Sequence, residues 1–244
     1  MRPSCARSPS VGTRNWRTRI NEHACYTARV KVGPRQGLAV VFALTGLVGC
    51  GVASAASGPW VSFVDQTYGI RVTIPRSWHT VPPTVAGVRS LVGQLEQKKQ
   101  AGLAQVYASF IASAAARQKM LSYHFQAFQY SPGSAIQPDF ALAFARTSRA
   151  YAAKDLATTS KSVAKQLTAV AGTRITKQTV VTLPAGPAGL LEGTQPVAGG
   201  LTTQFQIYVI AHGTLLYDLS FRADARATGE AATFTAIARR FAFV

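Results

Sequence analysis

Cys50 is the residue of this chain with the most legible chemistry. Its thiol follows an apolar run, 37–49, that closes on Leu47-Val48-Gly49, with Lys31 and Arg35 just ahead of the run. A basic segment, an apolar segment of this length and a small-residue exit are the parts of a secretory signal. A second pattern is basic. Lys154, Lys161 and Lys165 are separated by seven and eleven residues from the first, and at 100° per residue those offsets return to one helix face. Lys177 lies beyond them. Such a row is a solvated helix face or an electrostatic patch for envelope polyanions or anionic headgroups.

The remaining reactive side chains are scattered. Beyond the apolar run the histidines are His79, His124 and His212, and none has an H-x-H or HExxH neighbour. They read as solvated or core-satisfied side chains, so no metal and no cofactor is expected. The carboxylates there are Asp65, Glu96, Asp139, Asp155, Glu192, Asp218, Asp224 and Glu230, and their spacing shows no paired acid and base. No G-x-S-x-G elbow, phosphate-binding loop or dinucleotide fingerprint is present. No catalytic residue is assigned, and the chain is read as a non-enzyme.

The stretch Leu47-Val48-Gly49-Cys50 resembles the lipobox of bacterial lipoproteins. That resemblance implies that the Cys50 thiol receives a diacylglycerol and, after cleavage, becomes the new N-terminus. It implies a membrane partner through a lipid anchor and a place on the extracytoplasmic face of the cell membrane. Two other readings stay open. Ala53-Ser54-Ala55 is an A-x-A-like site for ordinary cleavage. The stretch 37–55 could also stay as a membrane helix, although Gly46, Gly49, Gly51 and Ser54 dilute its hydrophobicity.

Charge and cysteine usage divide at the same point. Residues 1–49 hold eight Lys/Arg and one acid, Glu22, and the rest of the chain holds eighteen basic and eight acidic side chains, a net charge of about +10. Cys5 and Cys25 lie upstream, so the processed chain keeps Cys50 alone and has no disulfide. Residues 1–29 are arginine-rich and aperiodic. They read as a mis-assigned start, with Val30 or Val32 as the true one, or as a basic cytoplasmic arm. Residues 30–49 are then the lipoprotein signal, 50–59 a small and polar flexible tether, and 60–244 one domain. Nucleic acid is a poor partner for an exported chain without a recognition motif.

The elements follow from periodicity. Strands are expected at 60–65 and 70–74, the second alternating apolar and polar residues until Pro75. Residues 84–119 have helical period, with a break near Gly102. Strands follow at 123–130 and 140–146, then a helix over 151–170 that carries the lysines. The last part reads as strands at 179–183, 189–192, 202–211 and 215–221, a hairpin turn at His212-Gly213, and a helix over 228–239 before Phe241-Ala242-Phe243. Trp60, Trp78, Phe125, Phe205 and Phe221 are expected in the core. Strands in runs with helices between them give an α+β fold.

Tyr68-Gly69-Ile70-Arg71-Val72-Thr73-Ile74-Pro75-Arg76-Ser77-Trp78 is similar to the opening of PsbP-like domains. The segment from Leu183 to Thr194 resembles actinobacterial LpqN/LpqT-type lipoproteins, which share that fold. The resemblance implies a central antiparallel sheet flanked by helices on both faces, a PsbP-like α/β/α sandwich, and no catalytic residues. The expected function is a non-catalytic envelope lipoprotein that binds a protein, glycopolymer or lipid partner. The alternative is a carrier or sensor holding a small apolar ligand between helices and sheet.

Overall fold

The computed structural model describes residues 59–148 and 150–244. The signal, Leu47, Val48, Gly49 and Cys50 lie outside the described residues. A hairpin comes first, β1 (Trp60–Asp65) and β2 (Ile70–Pro75), followed by a short β3 (Trp78–Thr80). Three helices come next, α1 (Val85–Gln97), α2 (Ala101–Ser109) and α3 (Ala114–Leu121). Strands β4 (Phe125–Gln129) and β5 (Asp139–Arg146) lead to α4 (Ala153–Thr168). A meander of β6 (Arg174–Leu183), β7 (Gly186–Val197), β8 (Leu201–His212) and β9 (Leu215–Asp224) precedes α5 (Glu230–Ala238) and β10 (Ala242–Phe243).

All pairings are antiparallel. One sheet has the order β3-β4-β5-β9-β8-β7-β6 and a second the order β1-β2-β10. The fold is α+β, with helices on both faces of the large sheet. The second sheet is an addition to the single central sheet expected from sequence. It shares one face of the large sheet with α5. Its third strand is two residues long, too short to show a period. The alternation of β2 holds in part: Ile70, Val72 and Ile74 are buried and Arg71 is exposed, but Thr73 is buried too, its Oγ1 lying 2.8 Å from Ser62 Oγ.

Alternation along the strands sorts the core into two layers. On the first face, Phe140 stacks on Phe221 at 4.8 Å and Phe221 on Phe234 of α5 at 5.1 Å. Ile70, Val72, Ile74, Ile237 and Phe241 close over them. Trp78 is 6% exposed and meets Phe234 edge-on at 6.4 Å. On the second face, Leu156, Ala164 and Leu167 of α4 pack on Leu191, Phe205, Ile207 and Val209. Phe128 turns to the same side and packs with α1, α2 and α3 through Val88, Leu95, Leu103, Tyr107 and Met120. Trp60 and Phe125 are only partly buried.

Three local expectations change. The stretch 84–119 is three helices, broken at Lys99, which takes φ 59°, and again after Ser109. Gly102 lies inside α2. Its lack of a side chain admits the Tyr130 hydroxyl, 2.2 Å from where a Cβ would stand. The strands expected at 179–183 and 189–192 are longer, β6 and β7. Gly189 and Gly193 interrupt the apolar pattern because a Cβ there would meet Ser160 Oγ at 1.9 Å and the Arg174 carbonyl at 2.2 Å. The turn at 212–213 stands where the sequence puts it, with Gly213 at φ 57°.

Candidate functional site

The lysine row is built by α4. Its first turn is closed by Asp155, whose Oδ2 accepts the Ala152 N–H at 3.0 Å. Leu156, Ser160, Ala164 and Leu167 face the sheet, which leaves Lys154, Lys161 and Lys165 exposed on the opposite side. At 1.5 Å rise per residue, the first two are about 10 Å apart along the axis and the last two about 6 Å. None has a carboxylate partner among the described residues. Lys177 does not extend the row. A bulge between Ile175 and Lys177 turns it to the other face of the sheet, where its Nζ lies 3.5 Å from Glu192.

That other face carries a groove beside α5, with a volume of about 510 Å³. Gln206 forms its floor, Ala231, Ala232, Thr235 and Ala236 its wall, and Arg239 and Arg240 its rim. The Tyr208 hydroxyl lies 3.3 Å from Gln206 Oε1 and 3.3 Å from Thr235 Oγ1. Burial pushes this phenol up, so it stays protonated and able to donate. The Arg240 guanidinium lies 3.9 Å over the Trp60 ring, and its Nη1 donates to the Ala236 carbonyl at 3.1 Å. The groove opens to solvent, and its lining is mostly apolar, with Gln206, Thr235 and the two arginines as its polar groups. Between α5 and the sheet the space is filled by the Phe140, Phe221 and Phe234 stack.

The histidines are held by packing. His79 stacks on Phe128 at 5.6 Å, and burial lowers its pKa, so it stays neutral. His212 stacks on Phe243 at 3.9 Å. His124 precedes β4, and its Nε2 lies 2.7 Å from Asp65 Oδ2, between the rings of Tyr68 and Phe144. Sequence gave no sign of this pair, since 59 residues separate its members. A hydrolytic triad would need a nucleophile on the other nitrogen. Among the described residues no serine, threonine or cysteine bonds to His124. Among them, too, no three His, Cys, Asp or Glu side chains gather as a metal site.

Register brings two acids onto the α4 side of the sheet. Asp139 stands opposite Arg222 and pairs with it, its Oδ1 accepting from Nε at 3.2 Å. Asp218 stands opposite Ala143 and accepts from Ser220 Oγ at 2.5 Å. Burial raises the Asp218 carboxyl to about 6, against the lowering effect of that hydrogen bond. Four residues of strand separate the two sites, about 14 Å at 3.4 Å per residue. The carboxylate pairs of glycoside hydrolases stand about 5 to 9.5 Å apart. These two are too distant to share one glycosidic bond.

The architecture is that of an antiparallel α+β domain with a basic helix face on one side and an arginine-rimmed groove on the other. No protein-family model matches the sequence, and no curated protein matches it significantly. Solved structures similar to it include the following three. One is LpqN of Mycobacterium tuberculosis, described as involved in cell envelope biogenesis, with 12% identity and a TM-score of 0.47 over 72% of this chain and 83% of that one. Another is the cyanobacterial PsbP of Synechocystis sp. PCC 6803, with 12% identity and a TM-score of 0.47 over 82% of this chain and 99% of that one. The third is a protein from Bacteroides thetaiotaomicron VPI-5482, with 9% identity and a TM-score of 0.41, of which this chain covers 48% and which covers 75% of this chain.

Proposed function

We propose that this chain is a lipid-anchored, non-catalytic protein of the cell envelope whose domain holds an anionic glycopolymer on the exposed face of α4. The observation that carries the reading is the lysine row. Lys154, Lys161 and Lys165 stand on one solvent face, and no carboxylate among the described residues neutralises them. A polymer with repeating negative charge can meet all three, and the net charge of about +10 after residue 49 favours its approach. The signal and Cys50 support the envelope location and the anchor. No helix among the described residues is long and apolar enough to cross a membrane.

Two measurements test the two halves of the proposal. Changing Lys154, Lys161 and Lys165 together to glutamine should reduce retention on an immobilised phosphate-bearing glycopolymer several-fold. Thermal stability should hardly change, since exposed charges contribute little to folding. Retention of the unmodified protein should fall with salt, because charges beyond about 8 Å are screened at physiological ionic strength. Retention that survives both treatments overturns the glycopolymer reading. Separately, Cys50→Ala should move the protein out of the membrane fraction. A variant that loses its leader and still sediments with membranes overturns the anchor.

A further inference from the structure

We infer that the edge formed by Trp60, Arg239 and Arg240 is the membrane-facing side of the domain, with anionic phospholipid headgroups of the anchoring bilayer seated at the groove beside α5. The inference rests on the anchor reading. If Cys50 carries the lipid, ten residue steps join it to Trp60. A chain of that length reaches at most about 35 Å, and a flexible one averages about 17 Å. The point where the chain enters the domain therefore stays within that reach of the bilayer, and the side chains around it can meet headgroups.

The surroundings fit an anionic surface. Arg240 lies over the Trp60 ring, and Arg239 is exposed beside it. Neither arginine has a carboxylate partner among the described residues. The exposed Arg76 borders the same end, its backbone N–H donating to the Pro59 carbonyl at 2.8 Å. Guanidinium groups present planar forks that match phosphate oxygens two at a time. A half-buried tryptophan with a polar edge suits the headgroup region.

Layering separates this edge from the lysines. Trp60 packs in the layer of the small sheet and α5, while Lys154, Lys161 and Lys165 project from the far side of α4, beyond the large sheet. Stacked layers lie about 10 Å apart. One flat bilayer cannot touch both surfaces. The tether gives the arginine edge to the membrane and leaves the lysine face outward, free for a polymer in the envelope.

The test uses the lipidated chain beginning at Cys50 in vesicles of phosphatidylcholine with and without phosphatidylglycerol. Single cysteines at Ala236→Cys and at Lys161→Cys carry a fluorophore, and the bilayer carries an embedded quencher. With phosphatidylglycerol the label at 236 should be quenched several-fold more than the label at 161. That difference should vanish in high salt, without phosphatidylglycerol, and in the Arg239→Gln/Arg240→Gln variant, while flotation with vesicles persists. Equal quenching at the two positions, or a difference indifferent to phosphatidylglycerol, salt and the arginines, overturns the inference and leaves the anchor standing. Loss of the difference on adding inorganic phosphate at matched ionic strength assigns the arginines to a soluble anion and also overturns it. Failure to float with any vesicle overturns the anchor and the inference together. The salt arm needs no variant, so it decides even if the double change disturbs the packing of Trp60.

Discussion

Asp65 and His124 tie the two sheets of this domain together. Asp65 ends β1 of the small sheet, and His124 leads into β4 of the large one; Oδ2 of the first lies 2.7 Å from Nε2 of the second. The same carboxylate accepts, through Oδ1, the backbone N–H groups of Thr67 at 2.8 Å and Tyr68 at 3.2 Å. One side chain therefore closes the β1–β2 turn and fixes that turn against the large sheet. Asp65→Ala should lower stability by about 1–2 kcal/mol, from hydrogen bonds worth about 0.5–1.5 kcal/mol each. The Asp65 side chain is 34% exposed, which keeps the effect to that size. Equal urea midpoints for the two proteins would show that the pair couples nothing.

Trp78 should be a larger contributor. It follows the Pro75 end of β2, is 6% exposed and stands edge-on to Phe234. Trp78→Ala should cost about 3–5 kcal/mol, the range for removing a large buried aromatic side chain. Chemical denaturation monitored by far-UV circular dichroism measures it. A loss below 1 kcal/mol, on the order of a surface change, would contradict the packing described for this residue.

Gly189 and Ser160 should be energetically coupled. A Cβ at 189 would stand 1.9 Å from Ser160 Oγ and 3.3 Å from its Cβ, so Gly189→Ala must turn the Ser160 hydroxyl away or shift α4 on the sheet. Such overpacking costs about 1–3 kcal/mol. Ser160 Oγ is itself buried with no hydrogen-bond partner among the described residues, so Ser160→Ala should be neutral or stabilising. In the double variant the cost of Gly189→Ala should shrink. A double-mutant cycle that gives additive effects would refute the contact.

Asp218 should make stability depend on pH. Its carboxyl is raised by burial from 3.8 to about 6, so the folded state holds the proton more tightly than the unfolded state does. The stabilising contribution is complete below about pH 4 and is lost as pH rises through about 6. A shift of two units would be worth close to 3 kcal/mol, and partial solvent access reduces this to about 1–2 kcal/mol. Asp218→Asn should therefore stabilise the protein at about pH 7.5 and change little at about pH 4. Melting temperatures measured across that range check the sign; a variant less stable at the higher pH would reverse it.

The amino-acid sequence by itself determined what depends on neighbours along the chain. The expectation of a leader rests on hydropathy, charge and Cys50 occurring within twenty residues. The alternation of β2, the turn at His212-Gly213 and the helical face of Lys154, Lys161 and Lys165 are visible because each is a local period or a dihedral need of one residue. The α+β class follows from the same local patterns. Tertiary structure alone decided what depends on register and layering. The bulge after Ile175 turns Lys177 away from the α4 lysines, and the β5–β9 register sets Asp139 and Asp218 on one face yet too far apart for shared chemistry. The Asp65–His124 pair, the second sheet closed by two residues of β10, and the meeting of Arg240 with Trp60 join segments far apart in sequence. No period in the chain encodes such contacts. They exist because burying two faces of one sheet forces distant segments to share an edge.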